Sequence, residues 1–157
     1  AKWAEKRFTM PYFREALWQM GYAVDTLETA TDWDNVDNLL NRIESNLREG
    51  LSKDGERTHV FTHLSHFYGQ GCSIYTTYVF RVADTYPETV ARWQHLKNTT
   101  SELIVRNRGT ISHQHGVGKD HAPFLPVEKG ELGMRAIRAL TDSFDPDARL
   151  NPKTLLD

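Results

Sequence analysis

The sequence predicts an α+β domain in which helices pack on a largely antiparallel sheet. Two observations support this fold class. Stretches with helical and with strand-like apolar spacing alternate along the 157 residues, and the two longest strand-like runs are joined by a glycine-containing turn, which is typical of a hairpin. With about three or four strands the sheet is smaller than usual, which predicts a fold that is incomplete at its N-terminus.

The first half of the chain predicts a helix, a strand and a second helix. Apolar side chains recur at helical spacing over residues 11–20, and Gly21 follows as a helix-ending glycine. Residues 22–31 are rich in β-branched and aromatic side chains, which favours a strand. Asp32 is expected to cap the second helix, whose apolar stripe comprises Trp33, Val36, Leu39, Leu40, Ile43 and Leu47.

The middle of the chain predicts a hairpin, because two β-rich runs, residues 57–67 and 71–82, flank a short turn. Side chains of a strand alternate between its two faces, so the second run separates into two sets. The first set predicts the core and comprises Cys72, Ile74, Thr76, Tyr78 and Phe80. The second set is mixed, could turn Tyr75 towards a ligand cleft, and comprises Ser73, Tyr75, Thr77, Val79 and Arg81.

The last third of the chain predicts a long amphipathic helix over residues 86–106, a short strand over 109–112 and a polar loop over 113–121. A final helix is expected over residues 126–143, before a turn-rich tail at 144–152. Because no repeat, low-complexity segment or internal linker interrupts this order, the whole chain is expected to form a single domain.

Composition argues against several classes of partner. The chain has 19 Lys+Arg and 21 Asp+Glu, a net charge of -2, so no overall field favours nucleic acid or an anionic membrane. No apolar run reaches the roughly 18 residues of a membrane span, and the start lacks the apolar segment of a secretory signal. The single cysteine, Cys72, is expected to be a small buried apolar residue, which is compatible with a cytoplasmic location.

The densest polar cluster, at residues 112–119, combines two histidines with a Gly-X-Gly turn and a lysine. The glycines let the backbone approach a flat or anionic group, while histidine and lysine supply proton transfer and positive charge. An ordinary exposed polar loop is one alternative. A zinc site built on His113 and His115 is another. The third zinc ligand would then be one of His121, His63 and Asp120.

The hairpin is also dense in histidine and tyrosine, with His59, His63, His66, Tyr68, Tyr75 and Tyr78. Each of these residues could pack as a hydrogen-bonded strand residue, or it could face a ligand. Arg14 is expected to be buried in a helix of aromatic and aliphatic side chains. It would then need an anionic partner, such as Glu15 or Glu28.

Four sets of motifs resemble the C-terminal part of the FAD-linked oxidases, and in particular of the alkyldihydroxyacetonephosphate synthases in their bacterial form. Their order and spacing hold over nearly the whole chain. The motifs are ETATDW at 28–33, SHFYGQGCSIY at 65–75, SHQHGVGK at 112–119, and the pairs DP at 145–146 and NP at 151–152.

The resemblance implies a cap domain of the vanillyl-alcohol oxidase type, spanning residues 1–157, that covers the isoalloxazine ring of FAD and forms the substrate site. Residues 109–157 would be the segment that lies near the flavin. FAD itself would be bound mainly by an N-terminal domain of the same protein that this chain lacks, so the fragment alone would be inactive. Exposed apolar surface on such a cap predicts self-association, as in a homodimer, or retention of the N-terminal domain.

The implied activity is exchange of the acyl chain of acyl-dihydroxyacetone phosphate for a fatty alcohol, through a covalent adduct between flavin and substrate. The substrate would be a small molecule or a lipid phosphate, and a lipid substrate would make the protein peripheral to a membrane. An FAD-linked dehydrogenase of a 2-hydroxy acid, such as D-lactate or glycolate, stays open. A binding module without catalysis and a small zinc protein with histidine ligands are the alternatives from other classes.

The resemblance also implies roles for individual residues. Tyr75 would be the base that acts on the substrate carbon, and His113 and His115 would lie near the flavin and assist it. Since a phenol has a pKa of about 10, Tyr75 needs such neighbours to act near neutral pH. Substrate would be bound by Arg14, His63 and His66. Cofactor contacts would come from His113, His115, Gly116, Gly118 and Lys119.

Two departures from the synthase pattern keep the dehydrogenase alternative open. This chain has glutamine at position 114, where the synthases usually have the middle of three consecutive histidines. It also has histidine at position 63, where a basic residue is expected in the animal enzymes.

Overall fold

A computed structural model describes Glu5 and residues 9–156, which form a three-stranded antiparallel sheet with helices packed against it. The strands are β1 (Tyr22–Asp32), β2 (His59–Phe67) and β3 (Gly71–Arg81), in the spatial order β1-β3-β2. The helices are α1 (Met10–Gln19), α2 (Val36–Glu49), α3 (Tyr86–Arg106), α4 (Gly118–His121) and α5 (Leu125–Phe144). The predicted α+β class and the hairpin of β2 and β3 are therefore confirmed.

The core lies between one face of the sheet and helices α2 and α3. The predicted alternation of β3 is confirmed, because every second side chain from position 72 to 80 is buried on this face. The core comprises Leu27, Leu39, Ile43, Leu47, Val60, Cys72, Ile74, Tyr78, Phe80, Leu96 and Ile104, among others. The opposite face of the sheet carries the remaining side chains of β3 and forms the floor of an open cleft.

A buried ion pair joins this core to α3. The Asp25 carboxylate accepts hydrogen bonds from Lys97 Nζ at 3.1 Å, Trp93 Nε1 at 2.7 Å and the Tyr78 hydroxyl at 3.1 Å. Burial by itself would raise the pKa of Asp25, but the Lys97 charge and the hydrogen bonds from Trp93, the Thr26 amide and Lys97 outweigh it and hold the pKa below its ordinary value. Asp25 is therefore ionised and ties β1, β3 and α3 together.

Three local predictions are wrong. Asp32 does not cap the following helix, because its Oδ1 accepts a hydrogen bond from the Gln70 side chain instead. Trp33 is not on the buried stripe, since it lies in a 3₁₀ turn (Trp33–Asn35) before α2 and is 45% exposed. Residues 109–112 are not a strand.

The segment at 109–112 runs beside β1 without keeping strand register. Thr110 N donates to Ala30 O and His113 N donates to Glu28 O. The two hydrogen bonds are therefore three residues apart on this segment but only two residues apart on β1. Between them, Ile111 N donates to the Glu128 carboxylate at 2.6 Å rather than to a strand. The segment is therefore held on both sides but cannot continue the sheet.

No described helix combines the length and the apolar character that crossing a bilayer would require.

Replacing Asp25 with asparagine should destabilise the domain by about 3 kcal/mol, because the buried Lys97 ammonium would lose its carboxylate. Urea unfolding monitored by circular dichroism measures this difference. Glu102→Gln is the matched control, since Glu102 pairs with Arg106 on the exposed surface of α3, and its loss should cost about 0.5 kcal/mol or less. Equal effects of the two substitutions would contradict a structural role for the Asp25 pair.

Candidate active site

A cleft of about 970 Å³ lies over the open face of the sheet. Tyr75 is on its floor, directly opposite His63 in the β2–β3 register, and the two rings stack with their centres 5.0 Å apart. Arg14 reaches the same cleft from α1. The cleft is lined mainly by apolar atoms and also includes Phe13, Leu17, Val24, Phe61 and Val79.

Glu28 is the buried acidic group next to this floor. It lies opposite Tyr75 in the β1–β3 register, and only 4% of its surface is exposed. Its Oε1 accepts a hydrogen bond from the Ser65 hydroxyl at 2.9 Å and lies 3.0 Å from His113 Nδ1. Its Oε2 lies 3.3 Å from His115 Nε2. A single carboxylate therefore joins β1, β2 and the polar segment at residues 112–119, the histidine loop.

Glu28 is ionised despite its burial. Removal from water by itself would raise its pKa, but the hydrogen bonds from Ser65 and His113, with Ser73 and the charge of His113 adding to them, bring the pKa below its ordinary value. An ionised carboxylate can only accept hydrogen bonds. The nitrogen that faces it on His113 therefore carries a proton.

The histidine loop is shaped by left-handed backbone. Gly116 and Gly118 have φ values of +74° and +57°, a conformation that costs glycine little, and Gln114 adopts φ +61°. The loop closes on itself where Ser112 Oγ donates to Gly116 O at 2.8 Å. These turns allow side chains two residues apart, His113 and His115, to reach the same carboxylate.

Each imidazole of the cluster has a second neighbour. His115 meets the Tyr75 ring edge-on, with ring centres 5.5 Å apart. His113 Nε2 lies 2.9 Å from the Tyr68 hydroxyl. His66 packs against His113 at 5.3 Å, and its Nδ1 lies 2.8 Å from the Ser65 hydroxyl. Chemically, the arrangement offers a phenol in an open cleft beside a negatively charged carboxylate that holds imidazoles in place.

The sequence-predicted residues fall into three groups. Tyr75, His63 and Arg14 line the cleft, while His66, His113 and His115 surround Glu28 and meet the cleft through Tyr75. The predicted cofactor contacts Gly116, Gly118 and Lys119 line a smaller adjoining cavity of about 250 Å³. This cavity also includes His115 and shares Asp25 and Thr26 with the cleft.

Arg14 departs from its prediction. It is exposed rather than buried, so its environment does not demand an anionic partner. Glu28, proposed as that partner, contacts serine and histidine instead. Arg14 lies on α1 at the edge of the open cleft, where a guanidinium remains available to an anionic ligand.

Sequence reasoning gave no site role to Glu28 or Ser65 and left Tyr68 without a specific one. Glu28 was predicted only as a possible partner of Arg14 and as the first residue of the ETATDW motif. Its position opposite Tyr75 depends on how β1 pairs with β3, and the sequence does not give that register. Tyr68 lies in the turn before Gly71, where its contact with His113 comes from a loop 45 positions away.

A metal ion is the other species that this cluster could hold. In the part of the chain that the structure describes, Glu28, His66 and His113 form the one group whose ligand atoms lie within 4.8 Å of one another. This is not the set predicted from sequence, which paired His113 with His115. The Glu28 oxygen and both nitrogens of His113 already have hydrogen-bond partners, which favours a cluster without metal.

Comparisons with known proteins agree on one family. The family model described as "FAD linked oxidases, C-terminal domain" matches residues 1–155. Alkyldihydroxyacetonephosphate synthase of Trypanosoma brucei brucei is 27% identical over 154 residues, which are 98% of this chain and 25% of that protein. The glycolate oxidase subunit GlcD of Bacillus subtilis (strain 168) is 46% identical over 51 residues, 32% of this chain and 11% of that protein.

A solved structure of alkyldihydroxyacetonephosphate synthase matches with a TM-score of 0.66 and 22% identity, over 96% of this chain and 24% of that chain. This likeness shows the fold. The chain spans about a quarter of the length of the curated synthase and of this solved chain.

Replacing Glu128 with glutamine should loosen the segment that presents His113. Burial would raise the pKa of Glu128, but hydrogen bonds from Ile111 N and Lys129 lower it below the ordinary 4.5. Its stabilising contribution is therefore complete above pH 4.5 and is lost as the pH falls through the depressed value. We expect a loss of about 1 kcal/mol at pH 7 that shrinks towards pH 3 in urea unfolding.

Glu131→Gln, an exposed change just beyond Gly130, whose non-helical backbone interrupts α5, is the control for Glu128→Gln. It should leave stability within about 0.5 kcal/mol at both pH values. A Glu128→Gln effect that stayed constant with pH would show that its charge does not stabilise the fold.

Metal analysis of the purified protein should find much less than one equivalent of zinc, because the Glu28 cluster is satisfied by its own hydrogen bonds. Inductively coupled plasma mass spectrometry measures the content, and unfolding with and without a chelator should give the same midpoint. One equivalent of zinc that disappears in a His66→Ala variant would identify a metal centre instead.

Proposed function

Because this chain belongs to the family of C-terminal domains of FAD-linked oxidases, we propose that it is the substrate-capping part of an FAD-dependent enzyme. The reaction proposed is that of an alkyldihydroxyacetonephosphate synthase, in which a fatty alcohol replaces the acyl chain of acyl-dihydroxyacetone phosphate. The observation that carries the proposal is Tyr75, which lies on the floor of an open cleft between the rings of His63 and His115.

The partner proposed for this cleft is an N-terminal FAD-binding domain of the same protein. Docking of that domain would cover large apolar side chains that are exposed on two helices. They are Tyr12, Phe13 and Trp18 on α1, with Val127, Leu132, Leu140 and Phe144 on α5. The single domain would then cover residues 1–157, with residues 109–157 nearest the cofactor.

The open face of the sheet fits a flat, partly apolar ring. Phe61 and Val79 form the apolar part of the cleft floor, and His63 and Tyr75 add polar groups to the same floor. FAD, when bound there, supplies the redox-active and electrophilic ring that this chain lacks. The residues of the chain would bind and orient the substrate and hold the proton that leaves it.

Within this scheme each residue has a physical task. The Tyr75 oxygen accepts a proton from the substrate carbon next to the reacting bond. His115, edge-on to the Tyr75 ring and tied to Glu28, supplies the nearby polar group that a phenol needs to act as a base. Arg14 binds the substrate phosphate, because its planar fork offers paired donors to two oxygens.

Oxidation of a 2-hydroxy acid is the second candidate function. The segment that is 46% identical to a glycolate oxidase subunit favours it. Arg14 would then bind a carboxylate in place of a phosphate, and Tyr75 would still face the reacting carbon. Supplying the complete protein with each substrate class separates the two functions, since only the second consumes an electron acceptor.

The proposal is tested on the complete protein with its N-terminal domain. Purified protein should show the visible absorbance of bound flavin, and Tyr75→Phe should retain that absorbance while kcat falls about 100-fold or more. Tyr86→Phe removes an exposed hydroxyl from the start of α3 and should leave kcat unchanged. A complete protein without flavin, or a Tyr75→Phe variant with normal turnover, would contradict the proposal.

A further inference from the structure

A carboxylate, an imidazole and a phenol form one continuous hydrogen-bonded chain that begins at Glu28, the residue opposite Tyr75 in the β1–β3 register. Glu28 Oε1 lies 3.0 Å from His113 Nδ1, and His113 Nε2 lies 2.9 Å from the Tyr68 hydroxyl. The chain begins at a carboxylate that is almost fully buried and ends at a tyrosine that is 48% exposed. It therefore connects the interior of the sheet with a surface that a ligand can reach.

The chain has a fixed direction. Because Glu28 is ionised, it can only accept, so His113 donates from Nδ1. In the neutral form of the His113 ring, the lone pair is on Nε2, and the Tyr68 hydroxyl is the donor to it. This is the order of carboxylate, imidazole and hydroxyl that makes a hydroxyl a proton acceptor in catalytic triads.

Surrounding contacts hold all three members in place. The backbone N of His113 donates to Glu28 O at 3.0 Å, which fixes the histidine beside β1. The backbone of Tyr68 is fixed by its own N, which donates to Gly71 O at 2.8 Å, and by Trp33 Nε1, which donates to Tyr68 O at 3.1 Å. These contacts fix the backbones of both residues, and the hydrogen bonds between Glu28 and His113 and between His113 and Tyr68 orient the two rings.

We propose that Glu28, His113 and Tyr68 form a relay that removes the hydroxyl proton of an alcohol substrate. This inference rests on the proposed function, in which both candidate reactions use a molecule with a hydroxyl group. The fatty alcohol must lose its O–H proton when it replaces the acyl chain. Tyr75 cannot hold that proton while it also holds one from the substrate carbon, so a second acceptor is required.

The proton transfer balances without an oxidant. The alcohol O–H bond breaks and its proton goes to the Tyr68 oxygen, while the Tyr68 proton moves to His113 Nε2. The products are an alkoxide, a neutral Tyr68 and an imidazolium ion beside the Glu28 carboxylate. Tyr68 is the catalytic residue of this relay, and Glu28 is a positioning residue that acts through His113.

The test compares two tyrosine variants of the complete flavin-containing protein, Tyr68→Phe and Tyr75→Phe. Each is assayed for turnover and for incorporation of deuterium from D₂O at the substrate carbon, measured by mass spectrometry. Tyr68→Phe should lower kcat about 100-fold, with KM within about threefold, and should keep deuterium incorporation. Tyr75→Phe should lose both. Tyr86→Phe, the control, should keep both.

Unchanged kcat in Tyr68→Phe would overturn the relay but leave the proposed function intact. Absence of flavin and turnover in the wild-type protein would instead overturn the proposed function. The relay also has a readout that does not require turnover. With ¹⁵N-labelled histidine, the nitrogen chemical shifts should show His113 protonated on Nδ1, and that state should be lost in Glu28→Gln. His113 protonated on Nε2 in the wild type would overturn the relay.

Discussion

The buried Glu28 carboxylate is the constraint on which the candidate site depends. A charge in this position is tolerated only because serine and histidine groups donate to it, and those donors come from β2 and from a loop far along the chain. The same contacts that make the charge acceptable therefore bring the imidazoles to the edge of Tyr75. The requirement of the buried Glu28 carboxylate for hydrogen-bond donors therefore brings the residues of the site together.

The two faces of the sheet have different roles, since one packs the core that stabilises the fold and the other lines the candidate site. On the covered face, Asp25 binds Lys97 and its neighbours between β1 and α3, within an apolar core. On the other face, Tyr75 and His63 lie on the floor of an open cleft, and α1 lines the edge of that cleft. Asp25 on the covered face is enclosed by its partners, whereas Tyr75 and His63 on the open face line a cleft that a ligand can enter.

Much of this fold could be predicted from apolar periodicity, including the hairpin and the buried face of β3, because local spacing determines which side chains face inwards. The sequence also indicated that Tyr75 would face a ligand cleft. It could not predict the register that sets Glu28 beside Tyr75, nor the irregular path of residues 109–112, where Glu128 captures the Ile111 amide. Both depend on contacts between distant segments. Arg14 was expected to be buried because its helix is aromatic, but that apolar surface is itself exposed.

The alternation of Asp25 and Glu28 along β1 has a consequence for how the protein folds. The two acids stand three positions apart and so point to opposite sides of the strand. If β1 paired one position out of register, Glu28 would face the apolar core. Lys97 would then face a methyl group or a threonine hydroxyl in place of the Asp25 carboxylate. A misaligned β1 would therefore leave two charges without partners, the Glu28 carboxylate and the Lys97 ammonium. The two acids thus disfavour the wrong register and select the native one during folding.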